Sequence, residues 1–156
     1  MSVRVVMLCQ GNICRSPMAE AVFQDMVDSA GLSEEIAVDS AGTSSWHVGE
    51  LAHPGTRAVL RQHNLSYAGK ARQIQQSDLS EADTYIFAMD DRNLADFRRR
   101  FGEWSKLYRL LDFAEESEAR NVPDPYYSGG FDYVYRLVED GCHGALAFVC
   151  QDAGIG

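Results

Sequence analysis

Several features that would place this 156-residue chain in a common class are missing from its sequence. No apolar run is long enough to span a membrane, and the chain does not start with the basic and apolar segments of a secretion signal. Internal repeats, low-complexity tracts and linkers are also absent. Because 46% hydrophobic residues suffice for one core, we expect a single domain over residues 1–156, no contact with membranes and a cytoplasmic location.

Positive charge and metal-ligand patterns are scarce as well. The chain has 14 Lys and Arg residues against 23 Asp and Glu residues, a formal net charge of -9, which argues against a nucleic-acid partner. Any affinity for phosphate must therefore come from a local field. The four histidines form no two-histidine or cysteine/histidine ligand spacing, so we expect neither a metal nor another cofactor, and the four cysteines are expected to be thiols.

What the sequence does contain is an alternation of strand and helix patterns. Short apolar, β-branched runs predict strands, and the segments between them repeat apolar residues every three or four positions, as helices do. The alternation predicts an α/β fold with a parallel sheet and helices on both faces, and such sheets bind ligands beyond the carboxyl ends of their strands. The strands are expected near residues 3–8, 36–40, 84–88 and 107–112, and the helices over 17–30, after Pro54, over 92–101 and from Phe131 onward.

The first and last helices have recognisable ends and apolar faces. Ser16 followed by Pro17 predicts the start of the first helix, because serine caps free amides and proline is tolerated there, and Gly31 predicts its end. The residues expected to face the core are Met18, Ala21, Val22, Met26 and Val27 in the first helix, and Val134, Tyr135, Val138, Cys142, Ala145, Leu146 and Val149 in the last.

A loop of five residues joins the first strand to the first helix, with Cys9 before it and Arg15 after it. At a helix start the free backbone N–H groups and the positive end of the helix dipole favour an anion. Gly11 and Asn12 tolerate the left-handed conformations that turn successive amides inward. We therefore expect this loop to bind a phosphate group.

The same field acts on the two residues that flank the loop. The amides, Arg15 and the Ser16 hydroxyl favour a thiolate at Cys9, and the thiolate is the nucleophilic form of cysteine. Arg15 carries a planar fork that can hold two phosphoryl oxygens. The alternative is a buried cysteine followed by a surface arginine, and the strand, the glycine and the helix start around the pair argue against it.

Residues 9–17, Cys-Gln-Gly-Asn-Ile-Cys-Arg-Ser-Pro, closely resemble the signature loop of the low-molecular-weight protein tyrosine phosphatases. The chain length is similar too, and further segments resemble the family in its own order over nearly the whole chain. The resemblance implies a three-layer sandwich around a four-stranded parallel sheet of strand order 2-1-3-4. The further segments are residues 38–43, 71–74, 88–90 and 123–127.

Asp124 lies between Pro123 and Pro125, which fix the backbone around one carboxylate. Prolines also flank inert surface turns, which is the alternative interpretation. Release of a tyrosyl phenolate at neutral pH needs a proton donor, and the resemblance assigns that role to Asp124. The implied reaction is phosphotyrosine hydrolysis: Cys9 attacks phosphorus, Asp124 protonates the leaving phenol and then activates water against the cysteinyl-phosphate, and Arg15 with the loop amides stabilises the charge.

Four residues are expected to support the loop. The resemblance implies that Asn12, Ser16 and Ser40 form a hydrogen-bond network that shapes the loop and steadies the thiolate, and that Asp90 orients the loop arginine. A helix cap is the alternative role of Asp90. Eukaryotic members of the family often carry a histidine before the Ala-Arg-Gln motif to complete this network, and the present chain departs from them with Tyr-Ala-Gly-Lys at residues 67–70.

Aromatic and apolar residues indicate the type of phosphate ester. Trp46, in a loop rich in glycine and serine, can wall the cleft together with Tyr126 and Tyr127; a surface aromatic that packs only its own loop is the alternative. Ile13 favours an aryl phosphate, since related phosphoarginine phosphatases usually have threonine there. The residues expected to contact substrate are Gln10, Gly11, Asn12, Ile13, Cys14, Ser16, Trp46, Tyr126 and Tyr127.

Cys14 has two expected roles. The resemblance implies a reversible disulfide with Cys9 that protects the active thiolate from irreversible oxidation, and the alternative is a small buried residue that supports the loop. The expected partners are tyrosine-phosphorylated proteins, and members of the family are usually monomers that can associate weakly through the active-site face.

Three rival activities stay open. Phosphoarginine phosphatase is the first. Arsenate reductase relays electrons through further cysteines, and this chain has none between Cys14 and Cys142. A phosphocysteine carrier, which holds phosphate without hydrolysing it, would not need Arg15 together with Asp124.

Overall fold

The computed structural model describes residues 2–80 and 83–156. Four parallel strands form one sheet with the order β2-β1-β3-β4, which confirms the predicted sheet. The first strand is central and pairs with the second and third. The strands are β1 (Val3–Cys9), β2 (Ile36–Gly42), β3 (Thr84–Ala88) and β4 (Leu107–Arg109).

Helices cover both faces of this sheet, which completes the three layers. They are α1 (Arg15–Ser29), α2 (Pro54–Gln62), α3 (Asp91–Phe101), α4 (Pro125–Ser128) and α5 (Phe131–Ala153), with 3-10 turns at Gln76–Leu79 and Leu110–Phe113. Within the described part of the chain, none of these helices has the length and apolarity needed to cross a membrane.

Alternate side chains of β1 enter two separate cores. Val5 and Met7 pack with α1 and α5 on one face, whereas Val6 and Leu8 pack with Phe97 of α3 on the other. Because both faces are covered, the strand is almost continuously apolar, as parallel strands in the middle of a sheet usually are. The carboxyl end of β1 is thereby fixed between two layers, and Cys9 is its last residue.

The first helix begins two residues earlier than predicted, at Arg15. The prediction that Ser16 caps this helix is wrong: Cys14 occupies the cap position, and the Ser16 hydroxyl turns back into the preceding loop. Pro17 still fits, because the first amides of a helix have no partner within it. The predicted stop is confirmed, since Gly31 has φ of 72° and its N–H bonds the Asp28 carbonyl over 3.1 Å.

The predicted fourth strand is too long. β4 ends at Arg109, and the chain then forms the 3-10 turn, which buries Leu110 and Leu111 against α5. A short apolar run is compatible with a strand or with a buried turn, so periodicity alone does not separate the two. The predicted inward faces of α1 and α5 are confirmed, with Met26 and Leu146 at their partly buried margins.

We expect Gly144→Ala to destabilise the fold. Gly144 lies in α5 where the helix passes over the Phe113 carbonyl, and an added Cβ would overlap that backbone oxygen. Alanine at an open helix position would stabilise the helix, whereas here we expect the free energy of unfolding to fall by about 3 kcal/mol. Urea unfolding measures the change. His143→Ala, at the exposed neighbouring position, is the control, and an unchanged midpoint for Gly144→Ala would contradict the packing described.

Candidate active site

The loop after β1 turns back over the Cys9 sulfur before α1 begins. Asn12 has a left-handed backbone with φ of 58°, and its N–H donates to the Cys9 Sγ over 3.3 Å. The Ser16 Oγ lies 3.0 Å from the same sulfur. The sulfur is buried under the loop, and Cys9 is only 2% exposed.

The side chain of Asn12 holds the loop in this shape. Its Nδ2 donates to the Ser16 Oγ over 2.8 Å and to the Ser40 Oγ over 3.0 Å, and its Oδ1 accepts from the Arg72 N–H over 2.9 Å. The structure therefore brings Asn12, Ser16 and Ser40 together. Asn12 and Ser16 are buried and do not line the cleft, because their side chains make these hydrogen bonds within the protein. They shape the site and do not line it.

Arg15 is a buried cation at the start of α1, only 3% exposed. Its Nη1 donates to the Asp90 Oδ2 over 2.5 Å and to the Val122 carbonyl over 3.1 Å, and its Nη2 lies 3.5 Å from the Asp124 Oδ2. Burial works against its charge, but Cys9, Asp90 and Asp124 outweigh that effect and hold the pKa of Arg15 above its ordinary value. The guanidinium is charged and fixed in orientation.

Asp90 both binds Arg15 and caps a helix, the two roles that the sequence left open. Its Oδ1 accepts from the Asn93 N–H over 2.8 Å, which caps α3, and its Oδ2 accepts from Arg15. The Asn93 side chain returns a bond to the Asp90 N–H over 3.2 Å. The cap therefore fixes the carboxylate that positions the arginine.

Asp124 reaches the cleft from the segment between the second 3-10 turn and α4. Its Oδ1 accepts from the Tyr126 N–H over 3.0 Å and so caps α4, while its Oδ2 faces Arg15. The segment is tied to the sheet, because the Val122 N–H bonds the Met89 carbonyl over 2.9 Å. These bonds fix the position of the Asp124 carboxylate beside Arg15.

Three segments of the chain line one cleft that is open to solvent. Its rim is aromatic, with Trp46 74% and Tyr127 76% exposed, and Tyr126 also lines the cleft. Trp46 does more than pack its own loop, since it faces the cleft. The lining residues are Cys9, Gln10, Gly11, Ile13, Cys14, Arg15, Ser44, Trp46, His47, Asp124, Tyr126 and Tyr127.

Two of these lining residues were not expected from the sequence. His47 lies against Gly11, its Nδ1 is 3.0 Å from the Glu50 Oε2, and its ring centre is 5.7 Å from that of Tyr126. Ser44 donates to the Gln10 carbonyl over 3.1 Å. The only signal for His47 in the sequence was its position next to Trp46.

Two further residues complete the network behind the loop. Glu20 of α1 accepts from the Ser40 Oγ over 2.5 Å and from the Tyr67 hydroxyl over 2.8 Å. Tyr67 belongs to the segment in which the chain departs from its eukaryotic relatives. Burial raises the pKa of Glu20, and it raises that of Tyr67 well above the usual range, so Tyr67 is a hydrogen-bond donor.

Cys14 also lines the cleft, and its thiol is buried. Burial, followed by repulsion from Cys9 and Asp124, raises the pKa of Cys14 to about 12 despite the opposing effect of Arg15. The Cys14 thiol is therefore protonated at neutral pH and is a poor nucleophile there.

In residues 2–80 and 83–156, no group of three or more His, Cys, Asp or Glu side chains is arranged to hold a metal ion. The cleft instead places a sulfur, a guanidinium and a carboxylate around one space. These three groups can, respectively, attack, hold and protonate an anionic ester.

Comparison with known proteins identifies similar chains and structures. A family model described as low molecular weight phosphotyrosine protein phosphatase matches residues 4–153. The low molecular weight protein-tyrosine-phosphatase YfkJ of Bacillus subtilis is 45% identical over 153 residues, which cover 96% of this chain and 97% of the relative. The crystal structure of YfkJ superposes with a TM-score of 0.91, covering 97% of each chain at 43% identity.

Two other solved structures are similar. A protein tyrosine phosphatase of Entamoeba histolytica has a TM-score of 0.90 at 36% identity, covering 98% of this chain and 99% of its own. A Drosophila arginine phosphatase has a TM-score of 0.84 at 32% identity, covering 92% and 96% of the two chains. From these matches, the chain belongs to the low molecular weight protein-tyrosine-phosphatase family of hydrolases.

Proposed function

We propose that the protein is a cysteine-dependent phosphatase that hydrolyses phosphotyrosine and small aryl phosphates. The observation that carries the proposal is the arrangement of Cys9, Arg15 and Asp124 around one cleft, with the Arg15 Nη2 3.5 Å from the Asp124 Oδ2. The phosphoryl group would lie in the loop, where amides and Arg15 neutralise its oxygens. Its aryl group would lie between the aromatic rim residues.

In the first step, the Cys9 thiolate attacks phosphorus in line with the leaving oxygen. The S–P bond forms as the bond from phosphorus to the phenol oxygen breaks, and Asp124 donates its proton to that oxygen. The geometry supports these roles because Cys9 and Asp124 line the same cleft and the Asp124 carboxylate faces Arg15. The product of this step is a cysteinyl-phosphate and a neutral phenol.

In the second step, the Asp124 carboxylate takes a proton from water. The water oxygen bonds to phosphorus as the S–P bond breaks, which returns Cys9 to its thiolate form and releases inorganic phosphate. Ser16 and Asn12 stabilise the departing thiolate through the contacts they make with the Cys9 sulfur. We propose no metal or cofactor in either step, because these side chains supply the nucleophile, the acid and the charge.

The proposed substrates are tyrosine-phosphorylated proteins, since Trp46, Tyr126 and Tyr127 offer flat apolar walls to a phenyl ring. We also propose that residues 1–156 form a single domain that acts in the cytoplasm as a monomer. The exposed Trp46 and Tyr127 support weak self-association through the same face, which would cover the cleft.

Substitution of the two reacting groups tests the mechanism. We expect Cys9→Ser to abolish turnover, and Asp124→Asn to lower kcat about 100-fold or more for phenyl phosphate and much less for p-nitrophenyl phosphate, whose leaving group needs less protonation. Steady-state kinetics with EDTA present measure both. Asp28→Asn, an exposed aspartate of α1, is the control. Substantial activity in Cys9→Ser, or equal losses on both esters for Asp124→Asn, would refute the assigned roles.

The second candidate activity is phosphoarginine hydrolysis, which the likeness to the Drosophila arginine phosphatase favours. Ile13 discriminates between the two activities, because its side chain lines the cleft beside the phosphate loop. We expect wild type to prefer phosphotyrosine peptides, and Ile13→Thr to move the ratio of kcat/KM values about tenfold toward phosphoarginine peptides. A wild-type preference for phosphoarginine would reverse the assignment, and Ile13→Val is the control for lost volume.

We further propose that Cys14 protects Cys9 during oxidation. A peroxide oxidises Cys9 to a sulfenic acid and is itself reduced to water or an alcohol; the Cys14 thiol then displaces hydroxide from that sulfur, which forms the disulfide and releases water. Both cysteines are buried and line the same cleft. The raised pKa of Cys14, about 12, supports its not being the cysteine that is oxidised first.

Peroxide treatment tests this role of Cys14. We expect dithiothreitol to restore most activity of peroxide-treated wild type and little activity of Cys14→Ser, with mass spectrometry showing the Cys9–Cys14 disulfide only in the former. Cys150→Ser, the partly exposed cysteine of α5, is the matched control and should recover like wild type. Equal recovery of Cys14→Ser and wild type would refute the protective role.

A further inference from the structure

Just before the Ala-Arg-Gln motif, the Tyr67 ring occupies the space that a side chain at position 69 would need, and position 69 is a glycine. A Cβ added to Gly69 would lie 2.6 Å from the Tyr67 hydroxyl oxygen and 2.8 Å from the ring carbon that carries it. Both distances are too short for a real contact. The absence of a side chain at Gly69 is therefore what allows the Tyr67 ring to fold inward and reach α1.

The Tyr67 hydroxyl is the last member of a chain of hydrogen bonds. The chemistry of each group determines whether it donates or accepts. A carboxylate only accepts, so Tyr67 and Ser40 both donate to the Glu20 Oε1, over 2.8 and 2.5 Å. Ser40 has one hydrogen, and this bond uses it. The Ser40 oxygen then accepts from the Asn12 Nδ2 over 3.0 Å.

The donors and acceptors between Asn12 and the Cys9 sulfur are fixed in the same way. The orientation of the Asn12 amide is fixed, because its Oδ1 accepts from the Arg72 N–H. The second hydrogen of the Asn12 Nδ2 goes to the Ser16 Oγ over 2.8 Å. Ser16 therefore accepts at that side, and its own hydrogen is free to point at the Cys9 Sγ, 3.0 Å away.

We propose that Tyr67 and Glu20, made possible by Gly69, are positioning residues that orient this chain so that the Ser16 hydroxyl donates to the Cys9 thiolate. The inference rests on the proposed function, since it assigns to Cys9 the role of nucleophile. Neither Tyr67 nor Glu20 lines the cleft, so they act only through Ser40, Asn12 and Ser16.

The negative charge of Glu20 is part of this hydrogen-bond chain, and other charged groups surround it. Asp39 of β2 repels its negative charge and Arg72 attracts it, while Asp25 and Asp28 of α1 line the same open groove as Glu20 and Tyr67. Within this balance the two donated hydrogen bonds favour the ionised carboxylate against its burial. Removing the Tyr67 hydroxyl takes away one of those bonds without changing the charge of any group.

Two substitutions disturb the chain in different ways and leave every residue that touches substrate in place. Tyr67→Phe removes the phenol hydroxyl, and Gly69→Ala keeps it but pushes the ring aside. The pH dependence of inactivation by iodoacetamide, followed as loss of p-nitrophenyl phosphatase activity and protected by inorganic phosphate, reports ionisation of the Cys9 thiol. A merely structural role would not move this midpoint.

We expect each variant to move the midpoint of inactivation upward by about 0.5 pH unit and to lower kcat about threefold, with KM changed by less than about twofold. The double variant should be no worse than either single one, because both break the same link. Tyr133→Phe, an exposed tyrosine of α5, and Ser66→Ala, next to Tyr67, are the matched controls and should keep the wild-type midpoint.

The outcomes separate this inference from the proposed function. Wild-type midpoints in both Tyr67→Phe and Gly69→Ala, with thermal unfolding showing both proteins folded, would overturn the positioning role while an inactive Cys9→Ser keeps the mechanism. An active Cys9→Ser would overturn the mechanism itself. Additive shifts in the double variant would show that the two residues act separately and would also overturn the inference.

Discussion

The site depends on keeping one positive charge out of water. Arg15 is almost fully buried, and an unpaired guanidinium in such a place would be strongly destabilising. The Asp90 carboxylate and the Val122 carbonyl offset that cost, and each comes from a different segment of the chain. The ion pair consequently fixes three things relative to one another: the phosphate loop, the start of α3 and the segment that carries Asp124.

This arrangement supports the proposed binding of a phosphate group by a chain of net charge -9. The long-range field of the molecule opposes the substrate, so attraction must act over a few ångströms, where burial weakens screening. Asp90 would cancel Arg15 if both faced the cleft. Instead, Asp90, which caps the start of α3, accepts a hydrogen bond from the Arg15 Nη1. The Arg15 Nη2 is left to face Asp124 in the cleft.

The sequence predicted these parts unequally, for physical reasons. The loop and the sheet follow from local signals: an apolar strand, a glycine, a helix start. The role of Ser16 was mistaken because a serine ahead of a proline usually caps a helix, whereas here long-range bonds to Asn12 and Cys9 claim its hydroxyl. The sequence marked Tyr67 only as part of a departure from the eukaryotic relatives and gave no sign that it pairs with Glu20, since the two residues meet only after α1 has packed against β2 and its neighbours.

The cleft therefore has two parts. Its floor is the loop that Asn12 holds in place, and its rim is formed by Trp46 and Tyr127. The floor is held by bonds that join residues 28 and 60 positions apart in sequence, so its geometry is set by the fold. The rim exposes Trp46 and Tyr127, which leaves apolar area in water at a cost of about 25 cal/mol per Å². Folding gains nothing from that exposure, whereas a phenyl ring entering the cleft would recover it. In the proposed function, the floor would bind the phosphoryl group and the rim would select among its esters.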